Sequence, residues 1–213
     1  MVRPRLRPVI SDAPPSRRDQ YAEQTRLALL ESAERAFAAH GYALTSLDQV
    51  ARAAGLTKGA VYHHFAHKQA LFEAVLDRLE ARSVEHAMAA AAMHESAWDA
   101  GLAALSVVLD GFQDPTYQRI CFIEGPVALG FDAWWVCGER HQIGVIRLLL
   151  AALAEQQVID VAPGHLDTLA NLIFGMMTAA AISLAQAEHP AALRDELNLV
   201  IVRILDGLRR APG

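Results

Sequence analysis

The sequence predicts an all-α fold, on three observations. Apolar residues recur three or four apart in nearly every segment after Arg17, no useful stretch alternates with the period of two that a half-buried strand needs, and the breaks between periodic segments carry helix caps or Gly and Pro. The first segment covers residues 21–40, with Tyr21, Leu27, Leu30, Ala33, Phe37 and Ala38 on one stripe and Gly41 as its stop. Ser46-Leu47-Asp48-Gln49 then fits a capping box, in which Ser46 accepts from the N–H of Gln49 and Gln49 reaches back. It opens a short helix bearing Leu47, Val50, Ala51 and Ala54 on one face and closed by Gly55. Thr57 caps a third helix that runs to about His64, and two short helices joined through Gly55-Leu56 have helix-turn-helix proportions. A fourth, long helix over residues 68–93 repeats Leu71, Phe72, Val75, Leu79, Arg82 and His86, and its charged first half is expected to be an exposed connector. Further helices are expected over 98–112, 117–124, 132–156, 166–187 and 191–210, separated by "DPTY", "GPVALG", "VAPG" and "EHP". Three zones result: a basic arm at 1–17, a compact bundle at 18–70 and a larger helical body at 71–213.

Composition narrows the function classes. A hydrophobic share of 53% over 213 residues is ample for a real core and excludes disorder throughout. Two cysteines, Cys121 and Cys137, form no CxxC pair, and no secretion signal precedes them, so a cytoplasmic protein is expected. The uncharged run from 168 to 187 just reaches the ~20 residues that span a bilayer. Thr168, Asn171, Thr178, Ser183 and Gln186 dilute it, and its flanks are acidic, so a buried helix is expected and no membrane partner. Net charge is −5, but residues 1–71 hold ten Lys and Arg against six Asp and Glu, a surplus of four that leaves the remainder at −9. That asymmetry suits an anion-binding N-terminal part on an acidic body.

The stretch "LTKGAVYHHFAHKQALF", Leu56 to Phe72, gathers hydrogen-bonding side chains into a mostly aliphatic chain. Three chemistries compete for it. Zinc could recruit His63, His64 and His67, but a structural site wants four ligands and favours Cys, and the nearest cysteine is Cys121. No metal is expected. A catalytic base would need a nucleophile and an orienting acid, and only Thr57 and Tyr62 stand nearby. A phosphate-gripping surface accounts for more residues. Thr57 presents a hydroxyl at a helix start, small Gly59 and Ala60 allow close approach to base edges, and Tyr62, His63 and Lys68 line the rim as backbone donors. Val61, Phe65, Leu71 and Phe72 are core positions, and His64 is either packed core or a DNA contact.

With these residues in place, the run "GxxxTSxDxVAxxAGxTKGAxYHHFxxKxxLF" within Phe37 to Leu76 strongly resembles the DNA-binding domain of TetR-family transcriptional regulators. The resemblance implies a nine-helix protein whose third helix enters the major groove, acting as a homodimer on near-palindromic double-stranded operator DNA. By position, Lys58, Gly59 and Ala60 would face bases, and Tyr62 and His63 would contact phosphates or a thymine methyl. Thr45 or Ser46 would touch the backbone and Lys68 would hold a phosphate. The chain departs from the common pattern at Ala66-His67, where a small polar cap is usual, so His67 is expected to cap poorly. Arg3, Arg5 and Arg7 either thread a minor groove or only add nonspecific affinity.

Regulators of this family usually hold a small effector in the larger domain. Trp134, Cys137, Gly138, His141 and Val145 share a face of the seventh helix, and Asp167, Asn171, Phe174 and Thr178 make a mixed stripe on the eighth. With Phe112, Phe122, Trp135 and Met177 they predict a mainly hydrophobic cavity with a few polar handles. Asn171 in so apolar a helix needs a partner. The last two helices, through Leu184, Leu193, Leu197, Val200, Ile201 and Ile204, are the expected dimer surface. No GxSxG elbow, P-loop, dinucleotide fingerprint or HExxH is present, so no enzyme and no cofactor are expected. A ligand-responsive regulator, most often a repressor in this family, stands against a helical interaction or scaffold protein in which Tyr62 to Lys68 is solvated surface.

Overall fold

The computed structural model describes residues 16–210, so Arg3, Arg5 and Arg7 lie outside the described residues. Nine helical segments follow one another: α1 Arg17–Leu44, α2 Leu47–Ala53, α3 Lys58–His64 and α4 Lys68–Ala91, then α5 Ala97–Gly111. α6 runs from Pro115–Tyr117 through a π-helical turn, Gln118–Glu124, into Gly125–Leu129. α7 Phe131–Glu155, a short turn Pro163–His165, α8 Leu166–Ala185 and α9 Pro190–Asp206 follow among the described residues.

The caps read from the sequence form. Ser46 Oγ accepts from Gln49 N at 3.2 Å while Gln49 Oε1 accepts from Ser46 N at 2.8 Å. Thr57 Oγ1 accepts from Ala60 N at 3.3 Å. His67 corrects the expectation of a poor cap, because its Nδ1 accepts from Ala70 N at 3.1 Å and does the work of a small polar side chain. Gly41 does not end α1 outright. Its φ of 76° kinks the helix, and one further turn carries the chain to Leu44.

Two other expectations change. "GPVALG" is helical as far as Leu129, since the wider π turn before Pro126 gives its ring the room an α-helical turn would deny. The last helix stops at Asp206. Beyond it Asp160 N donates to Leu208 O at 3.0 Å and Arg210 N to Val158 O at 2.9 Å, a short antiparallel bridge that ties the chain end to the loop after α7.

Two packing regions matter for function. In the head, α1, α2 and α3 close over Leu30, Phe37, Val50 and Val61, and the start of α4 adds Leu71 and Phe72. α4 then passes between the head and the body. It is no exposed connector: Leu71, Phe72, Val75, Leu76, Leu79 and even Glu80 are buried, because α1, α5 and α7 all pack on it. α8 is long and apolar enough to cross a membrane by length and composition, yet here it packs on α7, α9 and the π turn of α6.

Candidate nucleic-acid interface and effector cavity

α3 and the Phe65 cap that ends it turn two large apolar side chains inward and the polar ones outward. Val61 and Phe65 are buried, whereas Thr57, Lys58, Gly59, Tyr62 and His63 are exposed and Ala60 is half-buried between them. A Cβ at Gly59 would meet only the Thr57 hydroxyl, at 3.9 Å, so the face is open to approach. Lys58 Nζ bonds Asp48 at 2.9 Å and lies 5.7 Å from the Tyr62 ring, which holds the amine beside that face. His64 stays half-buried against His63 and Phe65, and its imidazole is pushed below the ordinary value first by burial and then by His63 and Arg26.

Three of the expected DNA contacts are tied up within the protein. Thr45 is buried, and its hydroxyl donates to the carbonyls of Gly41 at 2.8 Å and Ala36 at 3.2 Å, so no donor is left for a phosphate. Ser46 is exposed, but its hydroxyl is engaged in the capping box with Gln49. Lys68 Nζ donates to Tyr42 O at 2.7 Å and Ala43 O at 3.3 Å and sits 4.2 Å over the Tyr42 ring. A cation at the end of α1 satisfies carbonyls that the helix leaves open, so Lys68 fastens α1 to α4.

Two apolar spaces in the body, among the described residues, concern the expected ligand contacts. The larger has a volume of about 130 Å³ and lies between α4, α5, α7, α8 and α9, lined mainly by Trp98, Leu102, Leu105, Val145, Leu149 and Met177. Its polar contributors are Ser83 and Gln142. The smaller, about 20 Å³, gathers Phe112, Phe122, Trp134, Trp135, Phe174 and Thr178 around Glu80 and Gln142. Six of the ten expected ligand contacts therefore meet at this small aromatic space, and only Met177 reaches the larger one. The ring ladder explains the tightness: Phe112, Phe122, Trp134, Trp135 and Phe174 pack edge to face in sequence, and Trp134 Nε1 donates to Cys121 O at 2.6 Å.

Asn171 is exposed and donates to Asp167 O at 2.8 Å, so its amide is satisfied one turn back on its own helix and takes no part in either space. Cys137 and His141 face α4 instead, where both meet Asp77.

Glu80 is the group that sequence patterning missed. It lies eight residues after Phe72 and four after Leu76, on the buried stripe of α4, and that spacing was the available signal. Gln142 Nε2 donates to Glu80 Oε2 at 2.6 Å, and the buried Tyr117 hydroxyl faces the same carboxylate. Burial pushes the Glu80 carboxyl above its ordinary value of 4.5, with Gln142 opposing. The folded chain therefore holds this proton more tightly than the unfolded chain. Its stability contribution is full below pH 4.5 and is lost as pH rises through the folded value. Glu80→Gln removes that slope and raises Tm at neutral pH by about 2–4 °C, equivalent to roughly 1 kcal/mol at this size. Melting curves of both proteins across pH check it.

The comparisons with known proteins fit this geometry. The family description "Bacterial regulatory proteins, tetR family" matches residues 29–75, and "Tetracyclin repressor-like, C-terminal domain" matches residues 98–208. A TetR-family transcriptional regulator of Pectobacterium atrosepticum has a solved structure that superposes with a TM-score of 0.78 at 30% identity, covering 93% of this chain and 100% of that one. The chain belongs to the TetR family of transcriptional regulators. The regulator TtgR of Pseudomonas putida is 46% identical over 63 residues, a match that spans 30% of this chain and only 30% of that relative. SmeT in complex with triclosan shares the fold with a TM-score of 0.63 at 20% identity, over 89% of this chain and 96% of that one. Members of the family are DNA-binding transcription factors rather than enzymes, and they act as ligand-binding dimers.

For this TetR-family chain the expected dimer residues divide. Leu184 and Ile201 belong to the protomer's own core, at 1% and 2% exposure, because they continue the buried stripes of α8 and α9. Leu193 and Leu197 are half-buried. Val200 and Ile204 remain exposed, and Leu172 and Leu199, 67% and 70% exposed, extend the apolar surface of the same two helices.

Proposed function

We propose that this TetR-family regulator is a cytoplasmic homodimeric repressor that holds a near-palindromic operator and is released by a compact, uncharged, apolar effector. One observation carries the proposal. An outward row of Thr57, Lys58, Gly59, Tyr62 and His63 stands on a helix anchored by Val61 and Phe65, in a molecule whose body encloses a separate apolar space. The row suits a major groove, in which small residues admit the helix and donors reach base edges and phosphates. A cavity of about 130 Å³ with an almost wholly apolar lining is near the size that takes up a single-ring hydrocarbon. The exposed apolar strip of Leu172, Leu199, Val200 and Ile204 supports pairing through α8 and α9, two helices from each protomer.

Effector and head communicate through the elements that touch both. α4 lines the cavity with Ser83, Val84 and Ala87 and starts at Lys68, under the head. A ligand that fits the cavity better with α4 displaced shifts the heads away from their operator spacing.

Fluorescence anisotropy against DNA from upstream of the gene, over a salt series, tests the proposal. Tyr62→Ala and Lys58→Ala each cost about 1–3 kcal/mol of operator binding. Lys68→Met lowers Tm and weakens binding but leaves the salt slope unchanged, since its amine is committed to Tyr42 and Ala43 rather than to a phosphate. Equal binding to every duplex, unaltered in all three variants, would favour the scaffold alternative.

A further inference from the structure

Asp77 of α4 and Cys137 and His141 of α7 form a cluster that neither the operator nor the effector requires. Cys137 and His141 are one turn apart and share a face. The Cys137 thiol donates to Asp77 Oδ1 at 3.2 Å and His141 Nε2 lies 3.0 Å from the same oxygen. All three donor atoms lie within 4.8 Å of one another. We propose that Asp77, Cys137 and His141 bind a zinc-type divalent ion that clamps α4 to α7, an inference that goes beyond the repressor assignment and does not rest on it.

Ligand chemistry selects the metal. One thiolate, one imidazole and one carboxylate form the mixed sulfur, nitrogen and oxygen set that zinc favours and that magnesium and calcium do not. Bond lengths of about 2.0–2.3 Å in a tetrahedral site put neighbouring donors roughly 3.3–3.6 Å apart. The O···S and O···N separations of 3.2 and 3.0 Å need to open by only a few tenths of an ångström. Three protein ligands leave the fourth position for water or another small ligand.

The surroundings permit entry and exchange. The thiol is buried, whereas the Asp77 and His141 side chains keep 33% and 22% of their exposure, so an ion arrives from the solvent side and meets sulfur last. Arg140 contacts both Asp77 oxygens at 3.3 and 3.4 Å, but its side chain is half exposed and can swing into water when a cation replaces it. Binding exchanges the thiol proton for the metal: the S–H bond breaks, the S–metal bond forms, and one proton leaves for solvent per ion bound when His141 is neutral. Affinity therefore rises with pH.

Tag-free, chelator-treated full-length protein titrated with Co²⁺ gives the decisive reading. One Co²⁺ binds per protomer with a thiolate-to-cobalt charge-transfer band in the near ultraviolet, Zn²⁺ abolishes the band by displacement, and a weakly buffered sample acidifies by one proton per ion. Cys137→Ser eliminates the band. His141→Gln keeps it but weakens binding by more than about tenfold. Cys121→Ser leaves band and affinity intact, because that thiol lies outside the cluster. Circular dichroism confirms that each variant is folded. No band in folded wild-type protein, a band that follows Cys121, or Co²⁺ binding unchanged in Cys137→Ser would overturn the site, the last outcome assigning the ion to other histidines among the chain's nine.

Discussion

A chain carrying Gly101→Leu melts higher than the parent, binds operator equally well and no longer takes up an apolar ligand. Gly101 sits in α5 one turn from Ala97 and from Leu105, both buried, and it lines the larger cavity. A Cβ built there meets nothing within 4 Å, so a side chain enters open space rather than a neighbour. Glycine inside a helix costs about 1 kcal/mol relative to alanine, and burying a leucine side chain contributes about 1.5–3 kcal/mol. Together these stabilise the variant by roughly 2–4 kcal/mol, several degrees in Tm. The same side chain occupies the space where an effector would lie. Uptake of toluene, measured by titration calorimetry beside operator anisotropy, separates the effects: affinity for the probe falls more than about a hundredfold, the equivalent of losing roughly 2.7 kcal/mol, while the heads are untouched. Persistent probe uptake would place the effector site elsewhere in the body.

The sequence discloses what is local. Ser46 and Gln49 form their capping box because both partners lie within one turn, and the apolar period of α1 to α4 fixes which face is core. The exposed row on α3 was legible for the same reason, since Val61 and Phe65 fix the rotation of a seven-residue helix. His67 was misjudged because cap rankings are built on short hydroxyl, amide and carboxylate side chains, although an imidazole nitrogen accepts from the same N–H. Asn171 misled in the opposite sense. A carbonyl one turn back satisfied its amide, and a polar group with a local partner carries no information about a pocket.

What escaped the sequence is polar and distant. Asp77 meets His141 across 64 residues, Glu80 meets Gln142 across 62, and Glu124 meets Tyr42 across 82. Periodicity places such residues on a helix but not against a partner, and a carboxylate on a buried stripe reads as an irregularity in the pattern. The aromatic stripe suffered a related ambiguity. Phe112, Phe122, Trp134, Trp135 and Phe174 do converge, but they fill their space with one another, and the larger cavity lies next door among aliphatic side chains that no pattern distinguishes from core.

Gly41→Ala separates the head from the body and lowers operator affinity by at least about tenfold, or 1.4 kcal/mol. At Gly41 the chain adopts φ 76° and ψ 171°, an essentially glycine-only conformation that costs an L-residue about 1–3 kcal/mol. A Cβ there would also collide with the carboxylate of Glu124, which comes from the π turn of α6. That carboxylate accepts from Tyr42 N at 3.0 Å and pairs with Arg119 at 3.8 Å, while Arg119 donates to Ala39 O at 3.3 Å. The kinked end of α1 is thus latched to the body by two polar contacts, independently of α4, and a hydrogen bond to a charged partner is worth about 1.5–3 kcal/mol. Adding strain and the lost bond, Gly41→Ala destabilises the chain by roughly 3–5 kcal/mol and frees the head to swing. Glu124→Gln, which keeps an acceptor of the same shape, loses less stability and less operator affinity, because the bond from Tyr42 N survives without its charge. Denaturant unfolding and operator anisotropy distinguish the two variants. If Gly41→Ala kept parental stability and operator affinity, the latch would be a surface contact of no consequence, and α4 alone would carry the signal between cavity and head.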